Sequence, residues 1–226
     1  MEDMHIHLRK GITDNIEFNK YIEKCKELNI EKVVFLEHGN RISPKHKGIL
    51  VSNKKILEFN NMIDNYVLYN NDLIILKGIE IDYSKNEHFR KKTKTILENF
   101  NFEWIVGAVH HYKTKNLEEY LHLILDMIEN YRIDVVAHIK LNDEYLKNSN
   151  LISKILKKCH TKNIKIEINT SDRSRWDDEQ LYFMLKNMEK YKVRFTYGSD
   201  AHSISEIGYN IAEVEDKVKK WKNTRK

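Results

Sequence analysis

Residues 3–7 read Asp-Met-His-Ile-His, a short run in which polar and apolar residues alternate as they do in a β-strand. Residues two apart on a strand point to the same face, so the run predicts that Asp3, His5 and His7 project together. A related stretch, Gly-Ser-Asp-Ala-His at residues 198–202, follows another apolar run near the end of the chain. Both stretches predict strands that finish in histidine and carboxylate side chains.

Between these stretches, short β-branched runs alternate with longer segments of helical period. Seven strands are predicted, at Asp3–His7, Lys32–Leu36, Leu73–Leu76, Trp104–Val109, Ile133–Ala137, Ile164–Ile168 and Val193–Tyr197. Seven segments with apolar residues at i, i+3 and i+4 predict amphipathic helices. The alternation predicts an α/β fold with a parallel sheet covered by helices, as a closed barrel or as an open doubly wound sheet. In either architecture, functional residues are expected where the strands end.

The predicted strand ends hold most of the histidines in the chain. Of 11 histidines, those at strand ends are His5, His7, His38, His110, His111, His138 and His202. Glu80 and Asp200 stand among them. Imidazole and carboxylate ligands together suit Zn, Mn or Fe better than Mg or Ca. The set exceeds the four ligands of one tetrahedral ion, so we expect two or three divalent transition-metal ions.

Taken singly, several of these residues have simpler explanations. His138 alone would more often be a hydrogen-bonded core histidine than a ligand. Asp14, with Glu17 three residues later, has the spacing of a helix N-cap and its partner. Glu167 and Lys165 share one face of their strand, where they could form a pair behind the metal ligands or fill the barrel interior, and we favour the latter. The prediction of a metal site therefore depends on the joint placement of the set.

Composition excludes several classes of function. Lys and Arg total 39 against 34 Asp and Glu, a net charge of +5, but the basic residues are spread along the chain. We therefore expect no nucleic-acid partner. No apolar run approaches the length of a membrane span, and the N-terminus lacks the apolar segment of a signal peptide. Two cysteines cannot form a disulfide framework, so we expect a cytoplasmic protein.

The strand-end motifs, taken in order, resemble those of the polymerase and histidinol phosphatase (PHP) superfamily, most closely its histidinol-phosphatase-like branch. The motifs are DMHIH at 3–7, EH at 37–38, GIEIDY at 78–83, VGAVH at 106–110, AHI at 137–139, EINTS at 167–171 and GSDAH at 198–202. The resemblance covers nearly the whole chain. It implies a single domain over residues 1–226 with a distorted seven-stranded (β/α)7 barrel.

The resemblance also implies a trinuclear metal centre. Its ligands would be His5, His7, Glu80 and Asp200 for one ion, Glu80, His110 and His138 for a second, and His38 and His202 for a third. Many members have a further ligand about six residues after the second histidine of the first motif. That position is Thr13 here, with Asp14 beside it, so either Asp14 substitutes or the centre is dinuclear.

The activity that the resemblance implies is hydrolysis of a small phosphate monoester by attack of a metal-bound hydroxide. The leading candidate for the substrate is histidinol phosphate. Asp200, His202 and Glu80 would act in catalysis. Four cations that follow strand ends are candidates for binding phosphate, namely Arg41, Lys140, Arg173 and Arg175. The family pattern after Asn-Thr-Ser usually continues Gly, apolar, Arg, whereas residues 172–175 read Asp-Arg-Ser-Arg, which leaves the register of the arginine open.

Other functions remain compatible with the same residues. The metal centre could instead serve a phosphodiester, a nucleotide or a phosphotyrosine peptide, or belong to a metal-binding module without catalysis. A single-centre amidohydrolase also begins with His-x-His. It would usually place a carboxylated lysine at a central strand end, where this chain has Glu80 and His110.

Overall fold

The computed structural model describes residues 1–9, 14–40, 52–70, 72–110 and 116–224. Its strands are β1 Glu2–His7, β2 Lys32–Leu36, β3 His38–Asn40, β4 Ile74–Asp82, β5 Trp104–Ala108, β6 Val135–Val136, β7 Lys165–Asn169 and β8 Phe195–Gly198. All pairings are parallel, in the order β1-β2-β4-β5-β6-β7-β8, and the short β3 pairs with β4. Parallel pairing directs the carboxyl ends of all strands to one edge.

The sheet curls until its last strand meets its first. The backbone N–H of His7 donates to the Ala201 carbonyl at 2.8 Å, and Ile6 and Ala201 form an isolated parallel bridge. The carboxylate of Asp3 accepts the Ser199 N–H across the same seam at 2.9 Å. The sheet is therefore a nearly closed barrel, which confirms the predicted α/β barrel and excludes the open alternative.

In the described ranges, seven helices cover the outside of the barrel. They are α1 Asn15–Glu27, α2 Asn53–Tyr69, α3 Glu87–Asn99, α4 Leu117–Asn130, α5 Ser149–Lys162, α6 Asp178–Lys190 and α7 Ile211–Asn223. Five begin at a side chain that accepts a backbone N–H, namely Asp14, Ser52, Asn86, Asn116 and Asp177. Their apolar stripes pack on the outer faces of the strands in one large core. No helix in the described ranges is long and apolar enough to cross a membrane.

The barrel interior is filled by a second, smaller core made of strand residues and of Ala137, which directly follows β6. Met4, Val34, Leu36, Trp104 and Val106 are among its members. Lys165 does not pair with Glu167 but places its ammonium 4.5 Å from the centre of the Trp104 ring. The lower part of the barrel is thus closed by packing, and the polar residues lie at the carboxyl end.

Three local features of the strands differ from prediction. β4 continues to Asp82, so Glu80 lies within the strand instead of following it, and the extra strand β3 holds His38. A bulge interrupts β1: Asp3 pairs with Val33, but Ile6 already pairs with Phe35. Because of this extra residue, Asp3 does not share the interior face of His5 and His7 as predicted. It accepts the backbone N–H groups of Ser199 and Gly208 on the outer side of the barrel.

Candidate metal centre

Eight polar side chains meet at the carboxyl end of the barrel. They are His5 and His7 on β1, His38 on β3, Glu80 on β4, His110 after β5, His138 after β6, and Asp200 and His202 after β8. Their nitrogen and oxygen atoms form three groups, each able to hold a metal ion. The structure therefore brings together all eight residues that the sequence predicted as ligands.

The first group joins the beginning and the end of the chain. The Nε2 atoms of His5 and His7 lie 3.2 Å apart, and the Asp200 Oδ1 lies 3.6 Å from the first and 3.4 Å from the second. Both imidazoles are fully buried, whereas 13% of the Asp200 side chain is exposed. Asp200 thus forms the solvent side of this group.

Glu80 links the first group to the second. Its Oε1 lies 3.2 Å from His110 Nε2 and 3.1 Å from His138 Nε2. Its Oε2 lies 3.4 Å from His7 Nε2 and 2.7 Å from His38 Nδ1. The one carboxylate therefore faces two groups of imidazoles with its two oxygens, as a bridging ligand does.

The third group consists of His7, His38 and His202. The ring centre of His7 lies 4.5 Å from that of His38 and 4.2 Å from that of His202. His202 donates from Nδ1 to the Asp200 carbonyl at 2.7 Å, because a carbonyl oxygen can only accept. The Nε2 of His202 is then unprotonated and able to bind a metal.

Two of the eight residues reach the centre through an unusual backbone conformation. Ala137 faces the barrel interior, so a regular strand would turn the next side chain, His138, outward. His138 instead has a φ of 30°, and Asp200 has a φ of 51°. Left-handed backbone is uncommon outside glycine and concentrates at functional sites. These two turns direct both side chains inward.

Carboxylates stand behind three of the histidines. His5 Nδ1 lies 2.6 Å from Glu167, and His110 Nδ1 lies 3.3 Å from Asp82, both within hydrogen-bond distance. His7 Nδ1 lies 3.5 Å from Glu37, which forms an ion pair without a hydrogen bond. In metal sites, such outer carboxylates fix the tautomer and the orientation of the ligating ring. The sequence indicates no role for Glu37 or Asp82, and for Glu167 it favours filling of the barrel over a pair with Lys165 behind the ligands. The signal for them was strand register, which sets a carboxylate beside each ring.

The donor set fits a transition metal in spacing and in chemistry. Ligands at about 2.0–2.2 Å from a tetrahedral ion lie about 3.4 Å from one another. The three atoms of the first group lie 3.2–3.6 Å apart, and in the second group Glu80 Oε1 lies 3.2 Å from His110 Nε2 and 3.1 Å from His138 Nε2. The Nδ1 atom of His138 is also buried without a hydrogen-bond partner. Buried polar groups that no hydrogen bond satisfies point to an ion or to a catalytic role.

In the absence of metal, the carboxylates and imidazoles shift each other's pKa. Burial alone would raise the pKa of Glu80, but the imidazoles of His38 and His110 hold it well below its usual value. Burial alone would lower the pKa of His110, but Glu80 and Asp82 raise it to about 10. Burial and the neighbouring His7 lower the pKa of His202 to about 3, so this ring is neutral. The metal-free centre is therefore a network of ion pairs.

This network predicts how the stability of the metal-free protein depends on pH. A raised His110 pKa adds stability that is complete below its ordinary value of 6.5 and is lost as the pH rises to about 10. A lowered Glu80 pKa adds stability that is complete above 4.5 and is lost on acidification. We expect the melting temperature of chelated protein to fall as the pH rises above 6.5. Metal-loaded protein, whose imidazoles are held neutral, should show a smaller fall. A melting temperature of chelated protein that rises over this range would contradict the network.

Of the remaining predicted residues, those that the structure describes lie outside the three groups. Asp14 is exposed and caps α1, where its Oδ1 accepts the backbone N–H of Ile16 at 2.9 Å and of Glu17 at 3.2 Å. Thr13 and Arg41 lie outside the described residues. Lys140 is exposed after β6. Arg173 pairs with Glu206 at 3.2 Å, and Arg175 pairs with Asp172 at 3.5 Å.

A cavity of about 510 Å³ opens beside the end of β8. It is lined by Ser171, Asp172, Arg173, Ser199, Ser205, Glu206 and Tyr209. Ser199 directly precedes Asp200, and Glu206 accepts the backbone N–H of His202 at 2.7 Å. The cavity therefore lies next to the segment that carries Asp200 and His202, two of the eight residues of the metal centre.

Comparison with known proteins agrees with this geometry. A family model described as the PHP domain matches residues 3–171. A probable histidinol-phosphatase of Thermotoga maritima is 25% identical over 240 residues, which cover 98% of this chain and 92% of the relative.

Solved structures with the same fold include two phosphatases. The histidinol phosphate phosphatase HisK of Lactococcus lactis, in complex with Zn, L-histidinol and phosphate, has a TM-score of 0.72 at 18% identity and covers 97% of this chain and 92% of its own. The second structure comes from work on two metal-dependent tyrosine phosphatases, YwqE of Bacillus subtilis and CpsB of Streptococcus pneumoniae. It has a TM-score of 0.57 at 18% identity, and the match covers 97% of this chain and 87% of that structure. At 18% sequence identity, these two similarities show a shared fold and nothing further.

Proposed function

The chain belongs to the PHP domain family, and on this premise we propose that it is a metal-dependent phosphatase acting on a small phosphate monoester. The observation that carries the proposal is the position of Glu80, whose two oxygens face separate groups of imidazoles. A phosphate ester has several oxygens to neutralise, and clustered ions are suited to that task.

We assign the metal ligands by group. His5, His7, Glu80 and Asp200 would hold one ion, and Glu80, His110 and His138 a second. A third would be held by His38 and His202, beside His7, without Asp14, which caps α1. The identity of the ions is proposed as Zn, Mn or Fe from the mixture of nitrogen and oxygen donors. When bound, such ions would neutralise charge on the phosphoryl group and lower the pKa of a coordinated water towards about 7.

The side chains of the centre determine where the substrate approaches. His5, His7 and Glu80 are completely buried, whereas 13% of Asp200, 17% of His110 and 20% of His202 are exposed. The ester would therefore enter from the side of these last three residues. We propose that the proton needed by the leaving alkoxide passes along this edge, where Asp200 and His202 lie next to each other.

We propose histidinol phosphate as the leading candidate for the substrate, and two observations support it. The first is the similarity to a probable histidinol-phosphatase over 98% of the chain. The second is the cavity beside Asp200, which contains two carboxylates, Asp172 and Glu206, and one guanidinium. Carboxylates would accept hydrogen bonds from the amine of an amino alcohol, and Arg173 would orient the phosphate.

The alternative substrate is a phosphotyrosine peptide. It is supported by the similarity in fold to metal-dependent tyrosine phosphatases. The two are separated by measuring phosphate release from L-histidinol phosphate and from a phosphotyrosine peptide, with metal-loaded protein and a chelated control. We expect metal-dependent turnover that prefers L-histidinol phosphate. Preference for the peptide would move the assignment to tyrosine phosphatase, and metal-loaded protein that releases phosphate from neither would contradict both substrate assignments.

Replacement of Arg173 by glutamine tests the phosphate-binding assignment. A charge-assisted hydrogen bond contributes about 1.5–3 kcal/mol, so we expect KM to rise roughly ten- to a hundredfold. The matched control is Arg194→Gln, because Arg194 is also exposed and also pairs across the surface, with Asn163 at 2.6 Å. An unchanged KM in Arg173→Gln would move the role to Arg175, Lys140 or Arg41.

Two further assignments complete the proposal. We propose that residues 1–226 form one domain, because the end of β8 is bonded to β1. We also propose a cytoplasmic location, in agreement with the two cysteines, Cys25 and Cys159, which are free and buried.

A further inference from the structure

Glu167 is a buried carboxylate that touches two of the metal-binding groups without belonging to either. It lies on β7, with 2% of its surface exposed. Burial of a carboxylate is costly unless its oxygens are hydrogen-bonded. The neighbours of Glu167 therefore indicate its role.

The Glu167 carboxylate forms three hydrogen bonds, each with a group that can donate. Its Oε1 lies 2.6 Å from His5 Nδ1. Its Oε2 accepts the backbone N–H of His138 at 2.9 Å and the Asn169 side-chain amide at 3.1 Å. A carboxylate only accepts, so His5 carries its proton on Nδ1. The Nε2 of His5 is then free to bind metal beside His7 and Asp200.

The His138 contact has a second consequence. His138 departs from strand geometry with a φ of 30°, and the hydrogen bond from its N–H to Glu167 anchors the turn where this departure occurs. That turn directs the imidazole towards Glu80, whose Oε1 lies 3.1 Å from His138 Nε2. One carboxylate thus orients a ligand in each of two groups.

The neighbouring strand is shaped around this arrangement. A Cβ atom at Gly198 would lie 2.5 Å from Glu167 Oε1 and 2.7 Å from His5 Cβ. Both distances are shorter than a contact allows, so β8 can approach the Glu167–His5 pair only with glycine at this position.

We propose that Glu167 is a positioning residue that sets the metal affinity of the centre, by fixing the tautomer of His5 and the turn at His138. The inference rests on the proposed metal centre. It replaces the expectation that Glu167 fills the barrel, because a filling residue needs matching volume and no particular hydrogen-bonding atoms.

Glu167→Gln tests this role with almost no change of volume. An amide has one oxygen and one NH₂ group, so it cannot accept from both His5 Nδ1–H and His138 N–H. Loss of an outer partner of a metal ligand typically weakens metal binding about 10–100-fold. We expect a weakening of this size in a chelator competition with Zn. The control is Asp134→Asn, which changes a carboxylate that accepts the Ile105 N–H at 2.7 Å. This control should keep the Zn affinity.

A second measurement uses the unmodified protein and does not depend on the folding of a variant. In Zn-loaded protein, ¹⁵N NMR should show His5 with its proton on Nδ1 and its metal on Nε2. The reverse assignment, or a folded Glu167→Gln protein with Zn affinity within twofold of the unmodified protein, would overturn the inference. If the unmodified protein binds no metal, the proposed function fails together with this inference. Metal-loaded protein with either contrary result overturns the inference alone.

Discussion

Glu80→Gln is expected to lower metal-dependent phosphatase turnover by on the order of a thousandfold, which corresponds to about 4 kcal/mol of charge stabilisation. The carboxylate is the only group of the centre whose two oxygens face both the His110–His138 pair and the His7–His38 pair. Glutamine has almost the same shape as glutamate, but it is neutral and binds divalent ions weakly. Bound metal should therefore decrease together with turnover.

The measurement combines metal analysis with phosphate release from L-histidinol phosphate. Glu103→Gln is the matched control, because Glu103 accepts the backbone N–H of Lys77, on the same strand as Glu80, far from the centre. The control should retain both metal and turnover. A Glu80→Gln protein with full metal content and turnover within tenfold of the unmodified protein would show that Glu80 is not a bridging ligand.

His138→Ala is expected to have the second largest effect, a loss of at least about a hundredfold in turnover and of one bound ion. A core histidine would behave differently, because its removal would lower stability and leave activity in the folded fraction. The structure favours the ligand role, since the Glu80 oxygen that lies 3.1 Å from His138 Nε2 also lies 3.2 Å from His110 Nε2.

Thermal unfolding, metal content and turnover of the same preparation separate the two roles. His122→Ala serves as the control, because His122 is exposed on α4 and should tolerate the change. A folded His138→Ala protein that keeps its metal and its turnover, but melts earlier, would return His138 to the core.

Periodicity was sufficient for the elements but not for the closure of the sheet. Each of the seven predicted strands and seven predicted helices has a counterpart in the described residues. However, β4 runs beyond its predicted end at Leu76 to Asp82, and β3 was not predicted. The choice between barrel and open sheet depends on contacts such as the His7–Ala201 hydrogen bond, which joins distant parts of the chain. The bulge in β1 is likewise local geometry without a glycine or proline to mark it. For this reason the prediction that Asp3 shares one face of the strand with His5 and His7 was wrong.

The candidate site was more predictable than the details of the fold. The carboxyl ends of parallel strands meet at one edge, so placing a residue at a strand end already places it in the centre. His138 and Asp200 were placed correctly even though each needs a left-handed turn. The carboxylates behind the rings depend on which residue lies beside which across neighbouring strands. Glu167 beside His5 is 162 positions away in sequence, and no spacing within one strand indicates that contact.

The central claim is that this barrel holds a cluster of transition-metal ions, and elemental analysis of the purified protein tests it most directly. The protein is incubated with Zn or Mn, freed of loosely bound metal and analysed by plasma mass spectrometry, with thermal unfolding as the check on folding. The three groups of ligands predict two or three ions per chain. Folded protein that retains less than one ion per chain under both conditions would contradict the metal centre and the proposed phosphatase with it.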